Sequence, residues 1–237
     1  MKAATKRFYD KVSVRALEGS LGWTVALDGK GLLTPAKHVM ALRTEELALG
    51  IASEWDAQGA QLRPDTMPLM KLATTSIDQV PDIRPTMVDS MLRCLNSDLA
   101  CFRSTEEPGL VAREEKTFKP LLQWLLDEMD LPLAVSDSFI LSHPAETMPR
   151  AEQLLAEADD WELAALDSVT NTSKSLVIAL AVSHGRISAE EATAAARVAE
   201  QFQTDEWGVV EAGHDLDAAD VAVRIGASSA FLRMLGR

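Results

Sequence analysis

A chain of 237 residues, 47% of them hydrophobic, can build one large domain or two modest ones around a buried core. Its 23 Lys/Arg against 36 Asp/Glu leave a net charge of −13, which argues against a nucleic-acid partner, because such binding rests on neutralising phosphates with basic side chains. The charge is unevenly spread: residues 1–37 hold seven basic against three acidic residues, whereas residues 151–237 hold six against fifteen.

The opening residues, Met1-Lys2-Ala3-Ala4-Thr5-Lys6-Arg7-Phe8-Tyr9, lack the apolar stretch of a signal peptide and are too weakly basic for a transit peptide. The longest apolar run, 176–182, is far below the ~20 residues a bilayer needs, so no integral membrane segment is expected. The expected location is the bacterial cytoplasm, or the chain is a mature form already processed. From position 9 to 35 the pattern is strand-like. Val12-Ser13-Val14 alternates, Trp23-Thr24-Val25-Ala26-Leu27 alternates again, and Asp28-Gly29 supplies a hairpin turn that needs positive φ. Leu32-Leu33-Thr34-Pro35 is the expected returning strand, and Val39-Met40-Ala41-Leu42 a further candidate.

From Thr44 the reading is helical. Thr44 suits an N-cap, Glu45 and Glu46 suit the first turn, and Leu47, Ile51 and Trp55 recur every four residues up to a stop near Gly59. Helices are expected over 70–80, 85–98 and 117–128, the last with Pro120 in its first turn, and Phe139-Ile140-Leu141 reads as an isolated extended piece. One buried helix is expected over 163–182, ending at Gly185. Ser188-Ala189-Glu190-Glu191 fits a capping box that opens an Ala-rich helix to about 206, with Gly208 near its end, and a last helix covers 217–235. The expected fold class is α+β: a small N-terminal antiparallel β domain, 1–43, followed by a larger, mainly α-helical domain, 44–237.

Few residues invite enzymatic chemistry. Cys94 and Cys101 sit seven apart, which on one helix puts them on one face but ~10 Å apart along the axis, too far for a disulfide. Gly29-Lys30-Gly31 fails the phosphate-loop pattern, and Gly19-Ser20-Leu21-Gly22 lacks the spacing of a nucleophile elbow. Glu211-Ala212-Gly213-His214 resembles half of a di-metal carboxylate motif, but none of His38, His143 or His184 has a Glu three residues before it. The stretch that remains is Glu200-Gln201-Phe202-Gln203-Thr204-Asp205-Glu206-Trp207-Gly208-Val209-Val210-Glu211-Ala212-Gly213-His214-Asp215. Its carboxylates, amides and aromatics alternate too closely for a clean apolar stripe and suit a recognition surface.

Taken in order, Asp28-Gly29-Lys30 with Leu33-Thr34-Pro35, Ala52-Ser53-Glu54-Trp55-Asp56-Ala57-Gln58, Thr66-Met67-Pro68-Leu69 and Glu200-Gln201-Phe202-Gln203 with Trp207-Gly208 and Glu211 to Asp215 resemble the ATP synthase assembly chaperone family of mitochondria and alphaproteobacteria. Asp98-Leu99-Ala100-Cys101-Phe102-Arg103 and Glu106-Glu107-Pro108 look like the same family, with Phe102 where eukaryotic members often carry Tyr. The resemblance implies a non-enzymatic chaperone without cofactor, metal or nucleotide, with a small β domain and a larger helical one. It would bind the unassembled ATP synthase α subunit and prevent its aggregation until β subunits displace it, in the cytoplasm of a bacterium or, for eukaryotic relatives, the mitochondrial matrix. On that resemblance Glu200, Gln203, Glu206 and Glu211 are the expected client-binding residues. Phe202 and Trp207 read either as interface anchors or as core residues pinning a helix end, with the core reading preferred. Trp55 is expected to join the β piece to the helices. The alternative is a metal-dependent hydrolase using Glu200, Glu211 and His214.

Overall fold

A computed structural model describes residues 5–20, 22–138, 140–208 and 214–236, with the backbone alone for 20 and 214–216. By their contacts the residues form two compact units, one of 1–84 with 230–237 and one of 85–229. The change from strand to helix that the sequence shows at Thr44 falls inside the first unit.

In the first unit β1 (Val12–Ala16), β2 (Trp23–Leu27) and β3 (Lys30–Gly31) form an antiparallel sheet in that order, with Val14 opposite Val25 and Leu27 opposite Lys30. The two-residue turn is the expected one: Asp28 and Gly29 sit at φ 48° and 80°, the left-handed geometry whose twist matches paired strands. The expected return over 32–35 and the candidate over 39–42 are reduced to single bridges, Leu33 to Val39 and Trp23 to Leu42. Asp78 explains the intervening loop. Its carboxylate accepts from Thr34 Oγ1 at 2.6 Å and from the Ala36 N–H at 3.0 Å and meets His38 Nδ1 at 2.9 Å, so residues 34–38 curl toward a helix instead of running straight. Helix α1 (Glu45–Asp56) starts at Thr44, whose hydroxyl accepts from the Leu47 N–H, and buries Leu47, Ala48 and Ile51 beneath β1 and β2. Trp55 is half-buried and packs against Tyr9, in the segment that precedes β1. Its ring meets Tyr9 edge-on at 5.5 Å, and the Tyr9 hydroxyl donates to the Trp55 carbonyl at 2.6 Å.

Next come α2 (Pro68–Asp78) and α3 (Val80–Leu95), near the expected 70–80 and 85–98. Glu54 of α1 caps α2, whose own N-cap, Met67, has no side-chain acceptor: the carboxylate accepts from the Leu69 and Met70 N–H groups at 2.7 and 2.8 Å. Cys94 lies in α3 and Cys101 in a separate 3-10 turn, Leu99–Cys101, beyond the helix expected over 85–98.

The second unit is helical. α4 runs Pro108–Met129, longer than expected. Pro108, not Pro120, takes the first-turn position where a missing N–H costs nothing, and Pro120 lies in the interior. Phe139 lies outside the described residues, and Ile140 belongs to no strand and is largely exposed. α5 (Thr147–Glu157) precedes a second correction. The single helix expected over 163–182 is two, α6 (Asp160–Ser173) and α7 (Leu176–Ser183), because Lys174 turns left-handed at φ 58° and Ser175 begins a new helix as N-cap of Ile178. Every residue of α7 is buried, beside α4, α6 and α8 (Ala189–Ala196). The capping box at Ser188 and Glu191 forms in full. The helix expected to continue to 206 breaks at Arg197 (φ −122°, ψ 23°), giving α8 and then α9 (Val198–Trp207), and α10 (His214–Met234) closes the chain.

A carboxylate again begins a helix. Asp98 is fully buried and accepts from the Leu176 and Val177 N–H groups of α7 at 2.7 and 3.2 Å, from Ser175 Oγ at 2.6 Å and from the Ala100 N–H at 3.0 Å. Burial pushes its pKa up to about 6 against the four donors, and burial likewise pushes Glu54 up to about 7.

Candidate functional site

α9 carries most of the residues singled out from the sequence, and its two ends explain how it stands. Arg197 is buried at the break and holds Asp217 of α10 at 2.8 Å; Gly208 closes the helix at φ 82°, a conformation that a Cβ disfavours. Between them, ~100° of rotation per residue sorts the side chains. Val198 and Phe202 turn inward and are buried, while Gln203, Glu206 and Trp207 are exposed and Glu200 is half-buried.

The two aromatics therefore part company. Phe202 takes the core position: it is 5% exposed and presses on Gly109 of α4 so closely that a Cβ there would come within 2.9 Å of its ring. Trp207 contradicts the preferred core reading. Five residues on, it has rotated away from Phe202 and stands 69% exposed. Arg113 of α4 locks the inner side of α9, stacking its guanidinium 5.1 Å from the Phe202 ring centre while pairing with Asp205 at 2.6 Å.

On the Trp207 side lies a concavity of about 350 Å³ lined by Ser104, Thr105, Glu106, Glu107, Leu110, Phe202, Gln203 and Trp207. Its near wall, the segment before α4, is held by Glu114, whose carboxylate accepts from the Ser104 N–H at 2.7 Å and hydroxyl at 2.8 Å. Arg103 steadies the preceding turn, pairing with Glu115 at 2.6 Å and donating to the Ala100 and Phe102 carbonyls. Sequence reasoning missed Thr105, Gly109, Leu110 and Arg113. Its one signal for this wall was Glu106-Glu107-Pro108, noted without a role. A second concavity, of about 590 Å³, separates α4 from α8 and α9 and is lined by Arg113, Lys116, Leu121, Ala195, Val198 and Gln201 among others.

Charge follows the division of the chain. The first unit holds 13 Lys/Arg and 10 Asp/Glu, net +3, and the second 10 and 26, net −16. α9 thus belongs to a unit that more than accounts for the acidity of the whole chain.

Of the remaining expected residues, Glu211 and the His214 side chain lie outside the described residues, and Trp55 belongs to the first unit. The hydrolase alternative gains no further ligand: among the described residues no group of three or more His, Cys, Asp or Glu is arranged to hold a metal. Strongly shifted carboxylates often mark catalytic centres. Here Glu54 and Asp98 have a structural cause, each being spent on the N–H groups of a helix start. Both thiols are pushed up by burial, Cys94 to about 11 and Cys101 further, which disfavours the reactive thiolate. No described helix is long and apolar enough to cross a membrane. What α9 and its concavity offer is stacking and hydrogen-bond acceptance, the chemistry of recognition.

Comparison with known proteins shows the family. A profile of the ATP12 chaperone protein family matches residues 6–126. The mitochondrial protein atp12 of Schizosaccharomyces pombe is 24% identical over 243 residues, spanning 97% of this chain and 83% of its own. The crystal structure of Atp12 from Paracoccus denitrificans superposes with a TM-score of 0.88 at 31% identity over 98% of both chains, and an Asp-to-Lys variant of the same protein does so equally at 30%. The Atu1473 protein of Agrobacterium tumefaciens gives a TM-score of 0.87 at 31% identity, over 97% of this chain and 86% of that one. The protein belongs to the ATP12 chaperone protein family, the ATP synthase assembly chaperones.

Proposed function

We propose that the protein binds the unassembled α subunit of ATP synthase and keeps it from aggregating until β subunits displace it. Subunits of an obligate ring carry large apolar interfaces before assembly, and such surfaces associate with one another when left uncovered. A chaperone that spends no nucleotide releases its client by competition, so its complex must be weaker than the native α–β contact. The place of action is the compartment where the catalytic sector is assembled, the cytoplasm in a bacterium and the matrix in mitochondria.

The client-binding surface in this reading is the outward side of α9, with Glu200, Gln203 and Glu206 as acceptors, Glu211 continuing the acidic run, and Phe202 as internal support, while Trp55 steadies the first unit. The observation that carries it is the exposure of Trp207, 69% open to solvent beside these polar residues, where an aromatic serves no core. Light scattering of isolated α subunit, without nucleotide, tests it. Suppression of aggregation by the wild-type protein and its weakening by Glu200→Lys, with the fold retained by circular dichroism, is the expected result. No suppression by the wild type rejects the α-subunit reading. A Glu200→Lys protein that protects normally and loses only thermal stability makes Glu200 a structural residue.

A further inference from the structure

An aromatic face of α9 meets a carboxylate in two places, once with Asp205 of α9 itself and once with Glu106 and Glu107 from the segment before α4, and only the first is filled by a cation of this chain. On the inner side Phe202 and Asp205 receive the Arg113 guanidinium, which stacks 5.1 Å from the ring centre and pairs with the carboxylate at 2.6 Å. On the outer side Trp207 lies open with Gln203 next to it in the concavity, and Glu106 and Glu107 face it from the segment before α4. Among the described residues no Lys or Arg lines this concavity. All four polar or aromatic groups just named, Gln203, Trp207, Glu106 and Glu107, have exposed side chains.

We propose that this concavity is a receptor for an arginine side chain presented by an apolar segment of the partner protein. The proposal deepens the reading of α9 as the client-contacting helix and rests on it. Two observations and one chemical argument choose this occupant. The described lining offers two carboxylates and an amide with no competing cation among them, in a unit of net charge −16, so a cationic group is attracted and an anionic one repelled. A guanidinium, being planar and weakly hydrated, stacks on an indole while donating in its own plane to carboxylates, a combination that the compact, strongly hydrated Lys ammonium does not reproduce. Leu110 and Phe202 supply apolar lining, which suits aliphatic neighbours of the arginine. The larger concavity between α4 and α8 fits this ligand poorly, because Arg113 and Lys116 stand in its wall.

The test uses the full chain labelled with nitrogen-15 and three capped tripeptides: Leu-Arg-Leu, Leu-Lys-Leu and Leu-citrulline-Leu. The reporter is the indole N–H signal of Trp207, identified by its loss in Trp207→Phe. The expected result is a saturable shift with the Arg peptide, binding several-fold weaker with Lys and about tenfold weaker with uncharged citrulline. In Glu106→Gln/Glu107→Gln, whose two sites are solvent-exposed, the Arg peptide should weaken by about tenfold as well. The absence of a saturable shift, equal binding of citrulline, or an unaffected double variant each overturns the proposal. Capture of isolated α subunit separates the two readings. Equal capture by the wild type and the double variant, with loss in Glu200→Lys, refutes the arginine receptor and leaves the α9 reading standing. No capture by the wild type, together with a shift that needs Glu106 and Glu107, rejects the α-subunit reading and supports a receptor that serves a different partner.

Discussion

Replacing Asp98 with Asn should change how stability depends on pH more than it changes the fold. Asp98 is fully buried, and its pKa rises from 3.8 to about 6 in the folded chain, so between those values the folded state binds a proton that the unfolded state has released. Stability from this group is therefore greatest at low pH and falls as pH rises through the interval. Integrating over the two pKa values, its contribution is on the order of 1 kcal/mol larger at pH 5 than at pH 7.5. Asn has no such proton to bind, so the difference in unfolding free energy between wild type and Asp98→Asn should move by that amount, in favour of wild type, as pH falls from 7.5 to 5. Asn also has one acceptor oxygen where Asp98 serves four donors, two on each oxygen, which should leave either the Ala100 N–H or the Leu176 and Val177 N–H groups without an acceptor at a cost of about 1–3 kcal/mol at either pH. Urea unfolding followed by tryptophan fluorescence at the two pH values measures both quantities. A difference that stays constant, or that moves toward the variant at low pH, would refute the argument by showing that the four donors outweigh burial.

Other perturbations probe the supports around α9 and the first unit. Gly109→Ala places a Cβ 2.9 Å from the Phe202 ring and should cost about 1–3 kcal/mol in urea unfolding while weakening client protection. A variant as stable as wild type would mean that α9 yields freely. Glu54→Gln leaves an amide facing the Leu69 or Met70 N–H and should lower stability by about 1–2 kcal/mol at pH 8, where the carboxylate is charged. It should also speed hydrogen exchange at the start of α2, and unchanged exchange there would remove Glu54 as the cap.

Local chemistry was legible in the sequence wherever it acts on neighbours in the chain. Asp28-Gly29 specified a turn, Thr44 and Ser188 specified helix starts, and each is present because its partner lies within three residues. Chain breaks were harder. The run 163–182 is apolar enough at its end to read as one helix, yet Asn171-Thr172-Ser173-Lys174-Ser175 already held the break, with Ser175 able to begin a new helix and Asp98, 77 residues away, able to seal it. That second partner is invisible from local pattern. The same limit explains the site. The five-residue step from Phe202 to Trp207 was enough to separate their faces, but which of them went inward depended on Gly109 leaving room on a helix ninety residues earlier. Likewise Glu106 and Glu107 come to line a concavity with α9 only through the fold.

The claim at the centre of this account is that the protein holds free α subunit and yields it to β. Tagged protein bound to isolated α subunit on a surface, then exposed to increasing β subunit, tests it in one titration. The account predicts binding of α in preference to β, followed by dose-dependent release of α into α–β complexes. Equal binding of α and β, or an α complex that β cannot dissolve, would contradict it.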